Sequence, residues 1–305
     1  MTCTIRSNGK LLLSGEYLVL FGATGLAIPL KKGQTLTHRP TPGNGLIWRA
    51  THSEGAWFSA HYTSDLTIIN TTNKSLAEKL GNILLKAAHL KGDREIFAGR
   101  EVETHLEFSP SWGWGSSSTL IHNIASWLNI DPYRLLSQTF GGSGYDIACA
   151  SAHNPLFFRL KNHHYPEIVD TTFNPPFMDQ LWVGFLNQKP SSKEAIDQHL
   201  KATARTHQSI EQITKISHQM VTEQLPERFG FLMDEHESII SKFIGLQTLK
   251  QKYFKDFSGT VKSLGAWGGD FFLALSQMSD ADTRKYFQAK GFKILFKLQD
   301  IILTN

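Results

Sequence analysis

The order of strand-like and helical segments constrains the fold of this chain most. Residues 3–70 carry short runs of β-branched and aromatic residues, which predict strands interrupted by a turn at Gly15-Glu16, with a second strand reaching Leu20. Helical apolar spacing begins after Asn73, where Ser75 is the predicted N-cap. Further helices are predicted at 116–128, 132–140, 192–224, 226–249 and 280–289, and further strands at 101–108, 156–160, 181–186, 271–275 and 292–298. Because strands and helices mix without strict alternation, we predict an α+β fold.

Length and composition limit the classes of protein to which this chain can belong. The 305 residues are enough for about two domains, and no apolar run approaches the ~20 residues of a membrane span, so we expect no membrane partner. The net charge of +4 is spread along the chain, which suits a small anionic substrate and argues against nucleic acid. Two cysteines, Cys3 and Cys149, and a polar N-terminus unlike a signal peptide favour a cytoplasmic protein, which we expect to be a monomer or homodimer.

A glycine- and serine-rich segment precedes the helix predicted at 116–128. Residues 109–119 read SPSWGWGSSST. Glycines let backbone amides close around an anion, the helix N-terminus adds partial positive charge, and serine hydroxyls can bind phosphate or Mg²⁺. The spacing matches neither the Walker A pattern nor the dinucleotide fingerprint. The segment predicts a phosphate site, and a turn that only caps the helix explains it equally well.

Two more glycine-rich segments follow. Residues 141–148 read GGSGYDIA, and Asp146 just after a flexible turn suits a carboxylate that accepts a hydroxyl proton or orients a nucleophile during phosphoryl transfer. The alternative is an aspartate that caps a short helix. Residues 262–270 read KSLGAWGGD and precede a predicted strand, and their alternative is a tight hairpin turn.

In this order the segments resemble the motifs of the GHMP superfamily, the galactokinases, homoserine kinases, mevalonate kinases and phosphomevalonate kinases. The first motif is similar to KLLLSGEYLVLFG at 10–22, the second to 113–119 and the third to 265–270. The resemblance runs from residue 10 to about residue 275. Three motifs in family order are difficult to explain by coincidence.

Within the superfamily the chain most resembles the phosphomevalonate kinase type. Gly15-Glu16-Tyr17, the GYDIA sequence at 144–148 and Gly268-Gly269-Asp270 carry this resemblance. It implies a two-lobed fold. The expected lobes are a nucleotide-binding lobe at 1–165, similar to ribosomal protein S5 domain 2, and a ferredoxin-like lobe at 166–305.

The resemblance also implies ATP and Mg²⁺ and assigns roles to residues. Asp146 and Lys10 are the implied catalytic residues, and Ser117 the implied Mg²⁺ ligand. The implied nucleotide contacts are Gly113, Trp114, Gly115, Ser116, Ser117, Ser118, Gly265, Ala266, Gly268 and Gly269. The implied substrate contacts are Glu16, Tyr17, Ser143, Gly144, Lys189 and Ser191. Trp112, Trp114 and Trp267 stand in these loops, where they are candidates to stack on adenine, to stack on each other or to fill the nucleotide cleft.

The activity implied is phosphorylation of phosphomevalonate or mevalonate by ATP, in isoprenoid precursor synthesis. Three alternatives stay open at this point. The chain could be a kinase for another small alcohol, a diphosphomevalonate decarboxylase, or a non-catalytic GHMP-like binding protein.

Overall fold

The structure is a computed structural model that describes residues 2–161, 165–187, 207–265 and 271–304. Within these residues it contains twelve strands. They are β1 (Cys3–Ser14), β2 (Gly25–Pro40), β3 (Leu46–His52), β4 (Gly55–Tyr62), β5 (Ile68–Thr71), β6 (Arg100–Leu106), β7 (Leu156–Lys161), β8 (Tyr165–Asp170), β9 (Leu181–Phe185), β10 (Thr260–Leu264), β11 (Phe271–Leu275) and β12 (Leu295–Lys297).

Nine α-helices lie in the same described residues. They are α1 (Lys74–Lys91), α2 (Ser116–Leu128), α3 (Pro132–Ser137), α4 (Tyr145–Ser151), α5 (His207–Thr222), α6 (Pro226–Ile244), α7 (Leu249–Tyr253), α8 (Asp280–Ala289) and α9 (Leu298–Ile301). Short 3-10 helices span Leu18–Phe21 and Met178–Gln180. In the part of the chain described, no helix is both long enough and apolar enough to span a bilayer.

The chain divides into two compact units. The first comprises residues 1–10 and 31–151, and the second comprises residues 11–30 and 152–305. The division therefore falls inside β1 and β2. The boundary between residues 165 and 166 stays a prediction, and the compact units differ from it by giving 11–30 and 152–165 to the second unit.

The first unit is a mixed sheet covered by helices. Its strand order is β5-β4-β3-β6-β2, and β3 pairs with β6 in parallel whereas the other neighbours are antiparallel. Along β6, Val102, Thr104 and Leu106 are buried while the residues between them are more exposed, as expected for a sheet with one covered face. Ile121 and Ile124 of α2 belong to the same buried cluster as Val102. This packing fixes the start of α2 against the sheet.

The second unit contains a four-stranded antiparallel sheet in the order β10-β11-β9-β12. Helices α5–α7 lie between β9 and β10 in the chain, and α8 lies between β11 and β12. This order and connectivity are those of the ferredoxin-like βαββαβ arrangement. Every residue of β9 and β11 is buried, because both strands lie in the middle of the sheet. The unit also includes the β7–β8 hairpin, in which β7 pairs with Gly25–Ala27 of β2.

Several sequence-based boundaries are confirmed and others are corrected. The helices at 116–128 and 280–289 begin and end as predicted. The strand predicted to follow Gly15-Glu16 is wrong, because Gly15 and Tyr17 adopt φ angles of 101° and 60° and the chain then forms a 3-10 helix. The N-cap of α1 is Asn73 rather than Ser75, since the Asn73 side chain accepts from the Leu76 N–H.

Candidate functional site

The turn before α2 depends on a glycine. Gly115 has a φ of 94° and occupies the N-cap position of α2. A Cβ at this residue would lie 2.8 Å from Ser118 Oγ and 3.1 Å from Lys10 Cγ, so a larger residue would displace one of them. Ser118 Oγ and Thr119 Oγ1 both donate to the Gly115 carbonyl, which turns these two hydroxyls inward. Ser117, by contrast, is exposed.

Lys10 is held against this turn by main-chain and side-chain contacts. Its backbone N–H donates to the Trp114 carbonyl at 3.0 Å. Its Nζ donates to the Tyr145 hydroxyl at 2.8 Å. Lys10, a residue of β1, therefore contacts both the turn before α2 and the first residue of α4.

The segment before α4 is built from glycines in left-handed conformations. Gly141, Gly142 and Gly144 have φ angles of 65°, 97° and 87°. A Cβ on Gly144 would lie 3.0 Å from the ring of Tyr133, so this close approach also requires glycine. The turn delivers Asp146 to the first turn of α4.

Asp146 and Lys10 both affect the ionisation of Cys149, a residue of α4. Asp146 Oδ1 accepts from the Ile147 N–H at 3.2 Å, although Asp146 is the second residue of the helix and not its N-cap. Burial raises the pKa of the Cys149 thiol, the Asp146 carboxylate raises it further, and the Lys10 ammonium opposes both. Cys149 is fully buried, so it is an inert core residue next to the site.

The tryptophans of the glycine loop pack into the protein. Trp114 is fully buried, and its ring centroid lies 4.6 Å from that of Trp112 and 5.8 Å from that of Phe108 in edge-to-face contacts. Trp112 and Trp114 therefore contact each other edge to face, and the two rings are not stacked. Any contact of Trp114 with a nucleotide would have to use its backbone.

A different aromatic cleft lies in the first unit. It encloses about 220 Å³, and its walls include Trp48, Trp57, Phe58, Leu76, Ser116 and Ser117. The indole Nε1 of Trp57 is buried and has no hydrogen-bond partner among the described residues. The cleft thus places aromatic side chains beside Ser116 and Ser117, the first residues of α2.

In the second unit, Glu16 lies in a buried ionic cluster. Its side chain is 1% exposed; Oε1 accepts from Lys262 Nζ at 2.7 Å, and Oε2 lies 2.9 Å from His236 Nε2. Burial opposes ionisation of Glu16, but the charges and hydrogen bonds of Lys262 and His236 together outweigh it and lower the pKa of the carboxyl to about 2. Burial and Lys262 also lower the pKa of His236, whose Nε2 accepts from the Gly15 N–H. His236 therefore holds the Gly15 N–H and Lys262 holds the Glu16 carboxylate, and together they fix this turn within the unit.

Glu237 adjoins this cluster. Its Oε1 accepts from the Leu249 N–H, and its Oε2 accepts from the N–H and hydroxyl of Ser263. Burial raises the pKa of Glu237 to about 7, against the lowering effect of Lys262. Since Lys262 and Ser263 belong to β10, the cluster fixes the strand that leads to the third glycine segment.

The remaining predicted residues are distributed between the units. Ser143, Gly113 and Ser116 are half-buried in the first unit. Tyr17 and Gly265 are half-buried in the second unit, both with left-handed φ angles, and Gly265 follows β10 in the β10–β11 hairpin. Lys189, Ser191, Ala266, Gly268 and Gly269, as well as Trp267, lie outside the described residues.

Sequence reasoning missed the aromatic cleft, the role of Tyr145 and the buried cluster. Trp48 and Trp57 were visible only as residues of predicted strands, where a tryptophan is usually part of a core. Lys262 and His236 carried a weak signal, because a lysine within a β-rich apolar run must find a buried partner. Nothing in the sequence identifies Glu16, which precedes Lys262 by 246 residues, as that partner.

Known proteins resemble this chain in structure but not detectably in sequence. No family model and no curated protein matches the sequence. By structure, the chain is similar to L. major mevalonate kinase in complex with R-mevalonate, at a TM-score of 0.70 and 17% identity, covering 100% of this chain and 96% of that one. S. pneumoniae phosphomevalonate kinase in complex with phosphomevalonate and AMPPNP matches with a TM-score of 0.69 at 14% identity, covering 97% and 100%.

A sugar kinase also matches by structure. L. lactis galactokinase complexed with galactose has a TM-score of 0.66 at 12% identity and covers 99% of this chain and 93% of its own. The chain has the GHMP kinase fold. The α+β class and GHMP architecture predicted from the sequence are thereby confirmed, and the phosphomevalonate kinase type stays a prediction.

Proposed function

We propose that this protein is an ATP-dependent small-molecule kinase of the GHMP type. One observation carries the proposal: Lys10 contacts both the turn before α2 and Tyr145, the neighbour of Asp146. Three motifs that are distant in sequence thus supply a cation, a helix N-terminus and a carboxylate to one region of the first unit. Phosphoryl transfer needs this combination, because positioning and charge neutralisation provide most of its catalysis.

The nucleotide is proposed to bind along the start of α2. The half-buried ring of Trp57 suits a purine base, which stacks on aromatic side chains, and the N–H groups at the start of α2 suit phosphates. Ser116 and Ser117 line this cleft and Gly113 and Gly115 precede them in the turn, whereas the inward hydroxyl of Ser118 is already used in the helix.

Mg²⁺ fits this site through Ser117. The Ser117 hydroxyl is exposed at the helix start, and Mg²⁺ characteristically takes few protein ligands and completes its shell with water and phosphate. Within the described residues no group of three or more His, Cys, Asp or Glu side chains could hold a metal. When bound, the ion neutralises phosphate charge.

In the proposed reaction an acceptor oxygen forms a bond to the γ-phosphorus of ATP while the bond to the β–γ bridging oxygen breaks, which releases ADP. The Lys10 ammonium stabilises the negative charge of the transferred group. Asp146 orients the acceptor and takes its proton when the acceptor is an alcohol. A phosphate acceptor is already ionised, so Asp146 then acts by orientation alone.

Phosphomevalonate or mevalonate is the proposed acceptor. The GYDIA sequence and the Gly15-Glu16-Tyr17 turn support the phosphomevalonate type by resemblance, and solved kinases for both acceptors share the fold. The two cysteines, exposed Cys3 and buried Cys149, are both free, which supports a cytoplasmic setting where ATP is plentiful.

The test is turnover across an acceptor panel. Wild-type protein is incubated with ATP and Mg²⁺ and with phosphomevalonate, mevalonate, diphosphomevalonate, galactose or homoserine, and ADP, phosphorylated product and CO₂ are measured. ADP and product formed in equal amounts with one of the first two acceptors support the proposal. CO₂ from diphosphomevalonate would replace it with decarboxylation, and ATP binding without turnover of any acceptor would refute the proposed acceptor class.

A further inference from the structure

We infer that Tyr145 is a positioning residue that holds the Lys10 ammonium in place at the phosphoryl-transfer centre. This inference deepens the proposed function and rests on it. Tyr145 is the first residue of α4 and directly precedes Asp146. Its hydroxyl is thus fixed to the same helical turn as the carboxylate that acts on the acceptor.

The geometry gives Lys10 a defined place. Its backbone is tied to the Trp114 carbonyl, and its Cγ faces the bare Cα of Gly115, where no side chain intervenes. At the end of the side chain, Lys10 Nζ donates to the Tyr145 hydroxyl at 2.8 Å and lies 5.1 Å from the centroid of the Tyr145 ring. A lysine side chain has several rotatable bonds, so a fixed acceptor at its end removes much of the freedom that would otherwise misplace the charge.

The chemistry of the phenol suits this task. Burial raises the pKa of the Tyr145 hydroxyl to about 12, although Lys10 opposes the rise, so the hydroxyl stays neutral at physiological pH. A neutral oxygen orients the ammonium without cancelling its charge. A carboxylate in the same place would neutralise Lys10 and weaken its attraction for the transferred phosphoryl group.

The first test is kinetic. Tyr145→Phe keeps the ring and removes the hydroxyl, and we expect kcat to fall about tenfold or more while the KM for ATP changes less than about twofold, because a hydrogen bond to a charged group is lost near the reacting atoms. In a Lys10→Met background the same substitution should have no further effect. An unchanged kcat in Tyr145→Phe, or independent effects in the double variant, would overturn the inference.

Tyr62→Phe is the matched control. Tyr62 is fully buried in the first unit, and its hydroxyl donates to the Ala77 carbonyl at 2.9 Å, away from the Lys10 site. Its loss should lower the melting temperature and leave kcat unchanged. A melting temperature of Tyr145→Phe no lower than that of Tyr62→Phe would show that any loss of kcat in Tyr145→Phe does not come from a failure to fold.

A second measurement does not depend on activity. Reductive methylation of Lys10, quantified by mass spectrometry at one pH, should be at least about threefold faster in Tyr145→Phe than in wild type, because a hydrogen bond to the ammonium favours the unreactive charged form. Tyr62→Phe should label at the wild-type rate. Equal labelling in Tyr145→Phe and wild type would overturn the Tyr145–Lys10 contact itself. Faster labelling in a protein that turns over no acceptor would instead refute the proposed function and leave that contact supported.

Discussion

Removing Lys262 should destabilise the second unit strongly. The Lys262 ammonium is fully buried and donates to Glu16 Oε1 at 2.7 Å, to the Leu13 carbonyl at 2.9 Å and to the Ser263 carbonyl at 2.7 Å. Lys262→Met fills a similar volume but leaves the Glu16 carboxylate buried without its cation. The two carbonyls lose their donor as well.

The expected cost follows from the burial of the pair. Truncating one partner of a buried ion pair costs about 3–5 kcal/mol, because an uncompensated charge remains inside the protein. The fall of the Glu16 pKa from 4.5 to about 2 corresponds to about 3 kcal/mol, which is the same order. Because this folded-state pKa lies below the unfolded value, the stabilisation is present above about pH 4.5 and is lost as the pH falls toward about 2.

Calorimetric melting at neutral pH is the assay. A folding unit of roughly 150–250 residues loses about 2–4 °C per kcal/mol, so the transition of the second unit should fall by on the order of 10 °C. The control is Lys161→Met, which removes a solvent-exposed pair with Glu167 worth less than about 1 kcal/mol.

The double variant Glu16→Gln/Lys262→Met should melt above Lys262→Met, since it removes the unpaired charge. Equal melting of Lys262→Met and Lys161→Met would refute this account of the cluster.

Two further substitutions test the site and its support. The folded-state pKa of Glu237, about 7, lies above its unfolded value of 4.5, so wild-type stability should decline as the pH rises from about 4.5 to about 7. In denaturant titrations across that range, Glu237→Gln should lack this decline. A variant that loses stability with the same pH dependence as wild type would contradict the assignment. Gly115→Ala should reduce turnover at least about tenfold by pushing its Cβ into Ser118 and Lys10. Gly92 has a similar φ of 76°, but a Cβ added there would meet open space, so Gly92→Ala should lose stability and keep its kcat. A fall in kcat equal to that of Gly115→Ala would show that backbone strain alone is responsible.

Local sequence signals predicted much of the fold. Asp131-Pro132 correctly marks the start of α3, since the Asp131 carboxylate accepts from the Tyr133 and Arg134 N–H groups. The segment after Gly15 misled because Leu18–Phe21 reads as a strand, although the left-handed Tyr17 turns the chain out of the extended conformation. A tertiary contact requires that turn: a Cβ on Gly15 would lie 2.7 Å from the Cα of Gly25.

The motifs that form the candidate site were predicted from the sequence, but the contacts between their side chains were not. Lys10 and Asp146 were identified through glycine segments and resemblance, whereas the hydrogen bond from Lys10 to Tyr145 joins residues 135 positions apart. Glu16 illustrates the opposite case. Its motif suggested a substrate contact that stays a prediction, and its observed partners are Lys262 and His236, which only the folded chain brings to it.

The most direct test of the central claim is phosphoryl transfer followed by ³¹P NMR in wild type and Asp146→Asn. The account predicts that the γ-phosphate signal of ATP moves to the acceptor in wild type. Asp146→Asn should still bind nucleotide but transfer at least about a hundredfold more slowly with an alcohol acceptor. Asp131→Asn, which changes a helix cap outside the site, should retain the wild-type rate. Transfer at the wild-type rate by Asp146→Asn would contradict the account.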